Sequence, residues 1–220
     1  MTGFTQDSFK FLAGLKSNND RDWFNDNKSV FTTKLEAPFA ELLEALSDRL
    51  SDALQPLRGG KSTMFRMNRD VRFSNDKSPY KTAVSGLLTP SGKKAEANGV
   101  CYVHLDATGG FSAVGYYSLS PKQLGPMRDA IIDRADEFDD VMAKLKRAKR
   151  RLSDDDMLSA MPRGFSQHAD HRHADALKLK SLMIVETLPK SAWLSGDVVD
   201  RIEKLARDGM PLLTFAQPAC

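Results

Sequence analysis

Cys101-Tyr102-Val103-His104-Leu105-Asp106-Ala107-Thr108-Gly109-Gly110-Phe111-Ser112-Ala113-Val114-Gly115-Tyr116-Tyr117 decides the fold class. Cys101, Val103 and Leu105 alternate with Tyr102, His104 and Asp106, the two-residue period of a strand with one buried face. Thr108-Gly109-Gly110 has the turn chemistry that reverses a chain, so Phe111 to Tyr117 is expected to return as the second strand of an antiparallel hairpin. Strand and turn patterning extends upstream to about residue 63, which places the sheet at 63–118.

Both flanks of this region read as helical. Over residues 6–55, Thr5 is a plausible N-cap, and Phe9, Leu12 and Leu15 recur at helical spacing. Ser17-Asn18-Asn19-Asp20 supplies a turn, with Asn19 read as a cap, before Arg21-Asp22-Trp23-Phe24. Leu35, Phe39, Leu42, Leu43, Leu46 and Leu50 then form a long apolar stripe, with Pro38 near a helix start or kink. Gly59-Gly60 ends this part. Downstream, Ser120-Pro121-Lys122-Gln123 combines a capping serine, a preorganised proline and a glutamine three residues after the serine. Helices are expected from there to about 135, then over 137–151, 174–187 and 197–208, with Gly209 closing the last and Pro211 preventing its continuation. The order helices, strands, helices predicts an α+β fold: a largely antiparallel central sheet with N-terminal and C-terminal helices packed on it. One domain is expected, helical over 1–58, sheet over 63–118 and helical over 120–215.

The chain has 220 residues, 41% hydrophobic and 28% charged, enough for a sizeable core. A net charge of +3 is too mild to demand a polyanionic partner, although a local basic surface can still bind phosphate. Two cysteines, Cys101 in a strand and Cys220 at the end, make no disulfide framework. The first residues lack a basic segment followed by an apolar one, and no apolar run is long enough to cross a bilayer. The expectation is a reduced, cytoplasmic protein without membrane association.

Chemistry concentrates in Met64-Phe65-Arg66-Met67-Asn68-Arg69-Asp70-Val71-Arg72-Phe73-Ser74-Asn75-Asp76-Lys77-Ser78-Pro79-Tyr80-Lys81. Phe65, Met67, Val71 and Phe73 share one parity, and Arg66, Asn68, Asp70 and Arg72 the other. Arg69 falls on the apolar parity, where an unpaired guanidinium is costly, so it calls for a carboxylate or an anionic ligand. The small polar residues from Ser74 to Pro79 favour a turn with exposed backbone N–H groups, and arginine offers a rigid donor fork for phosphate or carboxylate. Read as a site, Arg66, Arg69, Arg72, Lys77 and Lys81 bind an anion. Asp70 or Asp76 then manages a proton or positions water, and Tyr80 orients the ligand. Read as structure alone, Arg66 pairs with Asp70, Arg69 with a distant acid and Arg72 with Asp76. Trp23 and Phe24 are core anchors behind the Asn18-Asn19 turn, and their packing against the sheet would bring Arg21 and Asp22 to the mouth of the Arg69 site.

This block, with Asn18-Asn19-Asp20-Arg21-Asp22-Trp23-Phe24 and Met161-Pro162-Arg163-Gly164-Phe165, resembles the family labelled domain of unknown function 2461. The matching signatures are Asn-Asn-x-Arg-x-Trp-Phe, Arg-Asp-x-Arg-Phe-Ser-x-Asp-Lys-Ser/Thr-Pro-Tyr-Lys and Pro-Arg/Lys-Gly-Phe. The resemblance spans almost the whole chain and implies relatives without implying a substrate, reaction or cofactor.

Other clusters have plainer readings. His168, Asp170, His171 and His173 carry metal-ligand chemistry, but they crowd one polar segment with no second ligand motif, so no metal is expected and Asp170 reads as a helix cap. Lys144, Lys146, Arg147, Lys149, Arg150 and Arg151 could meet nucleic-acid phosphates, but Asp140 and Asp154-Asp155-Asp156 flank them and no aromatic is interleaved, so a solvated face is expected. No phosphate-binding glycine loop, nucleophile elbow or zinc-protease motif is present, and the sequence names no cofactor. The leading expectation is therefore a protein that binds a small anionic, phosphorylated ligand, with turnover open. The alternatives are a module that binds nucleic acid or an acidic protein, and a purely internal charge network.

Overall fold

The computed structural model describes residues 3–95 and 99–216. From the N-terminus run α1 (Gln6–Ser17), α2 (Arg21–Asp26), α3 (Lys28–Phe31) and α4 (Ala37–Arg49), with a π turn at Thr32–Glu36 joining the last two. The sheet begins with β1 (Ala83–Leu88), β2 (Val100–Asp106) and β3 (Gly109–Tyr116). Then come α5 (Pro121–Asp133), α6 (Ala135–Arg147), α7 (Ala174–Lys178), β4 (Leu182–Thr187), α8 (Lys190–Ser195) and α9 (Val198–Ala216). The expected α+β architecture holds: the four strands lie in the order β1-β2-β3-β4, every neighbour antiparallel.

Local chemistry places these elements. Pro38 has no N–H to bond the Lys34 carbonyl, and the helix widens into the π turn just upstream. The buried Ser8 hydroxyl donates to that carbonyl at 2.7 Å and so ties α1 to the start of α4. In the β2–β3 turn, Asp106 Oδ1 accepts from the Thr108 backbone N–H and hydroxyl, both at 2.7 Å. Gln123 Oε1 accepts from the Ser120 backbone N–H, so the expected cap of α5 is in place.

One face of the sheet forms the core. Val84, Leu88, Cys101, Val103, Leu105, Val114, Tyr116, Leu182 and Ile184 all point to it and are buried. α9 covers β3 and β4, α4 covers β1, and α6 packs behind α9 as a further layer. Burial at the Cys101 thiol, against a weaker opposing contact with Ser112, pushes its pKa up to about 12, so it is a small core residue and not a nucleophile. Cys220 lies outside the described residues.

Four expectations are corrected. Residues 174–187 are not one helix, because Leu182, Ile184 and their neighbours alternate in burial and complete the free edge of β3 as a fourth strand. α9 does not stop at Gly209 but runs through Pro211 to Ala216. Burial of Leu212, Leu213, Phe215 and Ala216 outweighs the roughly 3 kcal/mol a helical proline costs. The last helical turn is further held by Arg134, which donates to the Phe215 carbonyl at 2.8 Å and lies over its ring. Residues 64–81 form no ladder strand. Their two arms are pinned by single bridges, Met64 to Gly86 and Asn68 to Tyr80, around an irregular tip. Phe73, assigned to the apolar parity, is 96% exposed at that tip. Finally, α6 ends at Arg147, and Lys149 takes a left-handed conformation that turns Arg150 inward.

Arg150 there meets Glu186 at 2.6 Å and Asp208 at 2.9 Å, joining the end of α6 to β4 and α9. It belongs to the fold, while Lys144, Lys146 and Arg147 keep the expected solvated positions.

Gly209 lets α9 approach the sheet. A Cβ at this position would lie 2.7 Å from Val114 Cγ1, on a stiff branched side chain that cannot swing away. Gly209→Ala gains about 1 kcal/mol in helix propensity but overpacks the core at a cost of about 1–3 kcal/mol. Net destabilisation is expected in denaturant melts, and Val114→Ala should relieve most of the overpacking in the double variant.

Candidate functional site

Among the described residues no helix layer covers the other face of the sheet. Register alone determines its surface: Ser85 and Phe111 flank His104, Leu87 and Ala113 flank Tyr102, and Val185 follows Ala113 on β4. Over this face lies an open cleft of about 1680 Å³. One wall is the 64–81 segment, through Phe65, Arg69, Tyr80 and Lys81, and Asp155 and Asp156 also line it. Tyr102, His104 and Phe111 form a continuous aromatic floor. The His104 and Phe111 rings stack at 4.9 Å and Tyr102 lies 5.6 Å from Phe111.

The polar groups of the floor form a chain along β2. The Tyr102 hydroxyl lies 3.1 Å from His104 Nδ1, and His104 Nε2 lies 3.7 Å from Asp106 Oδ2. Burial lowers the His104 pKa against the attraction of Asp106, so the imidazole is neutral at pH 7. Burial also raises the Tyr102 pKa, partly offset by a hydrogen bond with the Ser85 hydroxyl. At Asp106 burial favours the protonated form, but the hydrogen bonds from Thr108 prevail and hold its carboxyl below the usual range.

Most of the expected arginine site is neutralised by its own acids. Arg69 is half-buried on the cleft wall and ion-paired with Asp76. That carboxylate also accepts from the Ser78 N–H and hydroxyl, and its pKa is held far below the ordinary value by Ser78 first and Arg69 second. Arg72 clasps Asp70 with two nitrogens, at 2.9 and 2.6 Å, in the exposed tip. Lys77 donates to the Val71 carbonyl at 3.0 Å. These pairings resemble the internal-network expectation with the partners exchanged: Asp70 serves Arg72, and Asp76 serves Arg69. Arg21 and Asp22 are exposed, and Asp22 is not the partner of Arg69. Arg69 and Arg72 are thus each paired with an acid, and Asp70 also feels the charge of Arg66.

Lys81 behaves differently. It is half-buried, with its ammonium 5.2 Å from the Phe65 ring centroid. Its pKa is lowered by burial first and then by the positive charges of Arg66 and Lys94. None of these three cations makes an ion pair with a carboxylate among the described residues. Arg66 and Lys94 also line a smaller recess of about 460 Å³ beside Phe65, and Lys94 donates to the Met64 carbonyl at 2.8 Å.

Asn19 holds the wall in place. Its side-chain amide donates to the Tyr80 carbonyl and accepts from the Tyr80 N–H, each at 3.0 Å, while Asp20 is the cap of α2. Tyr80 is buried and stacks on Phe24 at 4.1 Å, so its ring is part of the core where it meets the cleft wall. Trp23 packs on Phe11 at 5.3 Å, in line with the expected anchor. The Pro162–Phe165 turn has a structural partner that sequence reading passed over. Arg128, buried in α5, lies 5.7 Å from the Phe165 ring and donates to the Leu177 and Leu179 carbonyls. His173 Nε2 pairs with Asp139 at 3.0 Å, and no group of three or more His, Cys, Asp or Glu among the described residues is placed to hold a metal ion. No helix among them is long and apolar enough to cross a membrane.

An antiparallel sheet backed by helices on one face, with a charged loop latched across the edge of the other, is the class this fold and cleft define. The chain belongs to the family described as conserved hypothetical protein (DUF2461), whose profile it matches over residues 7–215. No curated protein and no solved structure matches it.

Asn19→Ala removes both hydrogen bonds that fasten Tyr80. A loss of about 1–3 kcal/mol is expected in urea melts, with one of the freed groups partly buried, and the Tyr80 amide should lose hydrogen-exchange protection ahead of β2 and β3.

Proposed function

We propose that the protein, taken as cytoplasmic, binds a small anionic ligand on the open face of its sheet. The anionic group, a phosphate or carboxylate, sits at Lys81, and a flat apolar body lies along Phe65, Tyr102 and Phe111. The observation that carries this reading is Lys81 itself. A half-buried ammonium beside two further cations, with no carboxylate partner among the described residues, is an unfavourable arrangement until an anion joins it. The aromatic floor supplies the rest, since planar groups stack on such rings with about 0.5–1.5 kcal/mol beyond area burial. Arg66 and Lys94 contribute longer-range attraction. Arg69 is held by Asp76 and shapes the wall, and Arg72 and Lys77 stabilise the tip.

A nucleic-acid reading would need the aromatic floor to continue into a phosphate-binding stripe. α6, with Lys144, Lys146 and Arg147, packs behind α9 on the opposite side of the sheet, which argues against one strand using both.

Titration calorimetry with phenyl phosphate and phenylpyruvate tests this placement. Lys81→Ala is expected to weaken binding tenfold or more, about 1.4 kcal/mol, and Arg72→Ala to leave it within twofold. Equal loss in both variants, or loss in Arg72→Ala alone, would return the site to the arginine loop.

A further inference from the structure

Tyr102, His104 and Asp106 occupy alternate positions of one strand, so β2 presents all three side by side on the floor of the cleft. The charge of the outermost member, which lies within ion-pair distance of the imidazole and just outside hydrogen-bond distance, biases their proton positions. Asp106 Oδ1 is engaged by both donors of Thr108, which leaves Oδ2 facing His104 Nε2 at 3.7 Å. A carboxylate in that position favours the tautomer with the proton on Nε2. His104 Nδ1 is then a lone pair, and the Tyr102 hydroxyl 3.1 Å away must donate to it. The phenol oxygen, having given its proton to this bond, keeps lone pairs for the cleft.

We infer that Tyr102, His104 and Asp106 form a proton relay that acts on the bound ligand. This rests on the anion-binding reading above. The ligand's acidic X–H bond breaks and its proton passes to the Tyr102 oxygen. Tyr102's own proton passes to His104 Nδ1, and the electron pair stays on the ligand. The ligand gains one negative charge, near the cations at Lys81, and His104 gains one positive charge, opposite Asp106. The reverse transfer returns the proton to the same atom or to a conjugated neighbour, so no oxidant, reductant or co-substrate is needed. Tyr102 is the catalytic residue that touches the ligand, His104 stores the proton, and Asp106 positions His104. The substrate class is an anion with a planar body and a C–H made acidic by an adjacent carbonyl, because such a carbon acid holds the new charge by conjugation.

Phenylpyruvate has these features and serves as the probe. With the full-length protein in D₂O, exchange of its benzylic hydrogens, followed by proton NMR, should be at least tenfold faster than in buffer alone. Saturation transfer from protein to probe reports binding in the same samples. Tyr102→Phe keeps the ring and the fold and should lower exchange tenfold or more while binding persists. Asp106→Asn should lower exchange and move the His104 ¹⁵N shifts away from the Nε2–H tautomer, a change that a purely structural role would not produce. A bound probe that exchanges no faster than in buffer, or equally fast with Tyr102→Phe, overturns the relay and leaves the anion site standing. Absence of saturation transfer with the wild-type protein overturns the anion site for this ligand class, and the relay with it.

Discussion

α9 can lie flat against the inner face of β3 because residue 209 has no side chain. Gly209 lies so close to the Val114 side chain that a single methyl group would be 2.7 Å from Val114 Cγ1. From that contact the layering follows. α9 and α4 use up the apolar parity of the four strands, α6 finds its place behind α9, and Arg150 can reach from the end of α6 to Glu186 and Asp208. With the inner face satisfied by helices, the residues of opposite parity are left facing the cleft. The position of the site is thus a consequence of how the core is filled.

Charge placement around the cleft divides into satisfied and unsatisfied groups. A carboxylate two to seven residues away is enough to neutralise Arg72 or Arg69, and short loops achieve this cheaply because little chain has to be ordered. Such pairs in the exposed tip contribute little stability, since solvent screens them. Asp76, five residues from Lys81, is already taken by Arg69 and Ser78, so Lys81 lies beside Phe65 within reach of other positive charges and has no carboxylate partner among the described residues. A local excess of positive charge beside an apolar floor is a more specific marker of an anion site than the number of arginines in a segment.

Much of the fold was legible in the sequence where periodicity and punctuation agreed. The β2–β3 hairpin, the capped start of α5 and the apolar stripe of α4 stand where pattern placed them. The misreadings arose where tertiary packing overrides local signals. Leu182–Thr187 is too short to distinguish helix from strand by pattern and becomes a strand because β3 offers a free edge. Pro211 reads as a stop, but the core beyond it is worth more than the lost hydrogen bond. Alternation in residues 64–73 looked like a strand, although their arms are pinned by only a few hydrogen bonds and Phe73 faces solvent. For the site, sequence reading found the wall but not the floor. Tyr102 and His104 were visible as the outward parity of β2, but nothing in one sequence says that the outward face lacks a covering helix. The reciprocal bonds between Asn19 and Tyr80 join residues 61 apart and could not be seen from spacing.

The central claim is that the uncovered face of the sheet, and not the arginine-bearing tip, receives the ligand. Amide and aromatic chemical-shift mapping during a phenyl phosphate titration tests it most directly. Saturable shifts centred on Lys81, Tyr102, His104 and Phe111, with Arg72 and Phe73 unmoved, are the predicted result. Shifts confined to residues 70–78 or to the exposed side of α6 would contradict it.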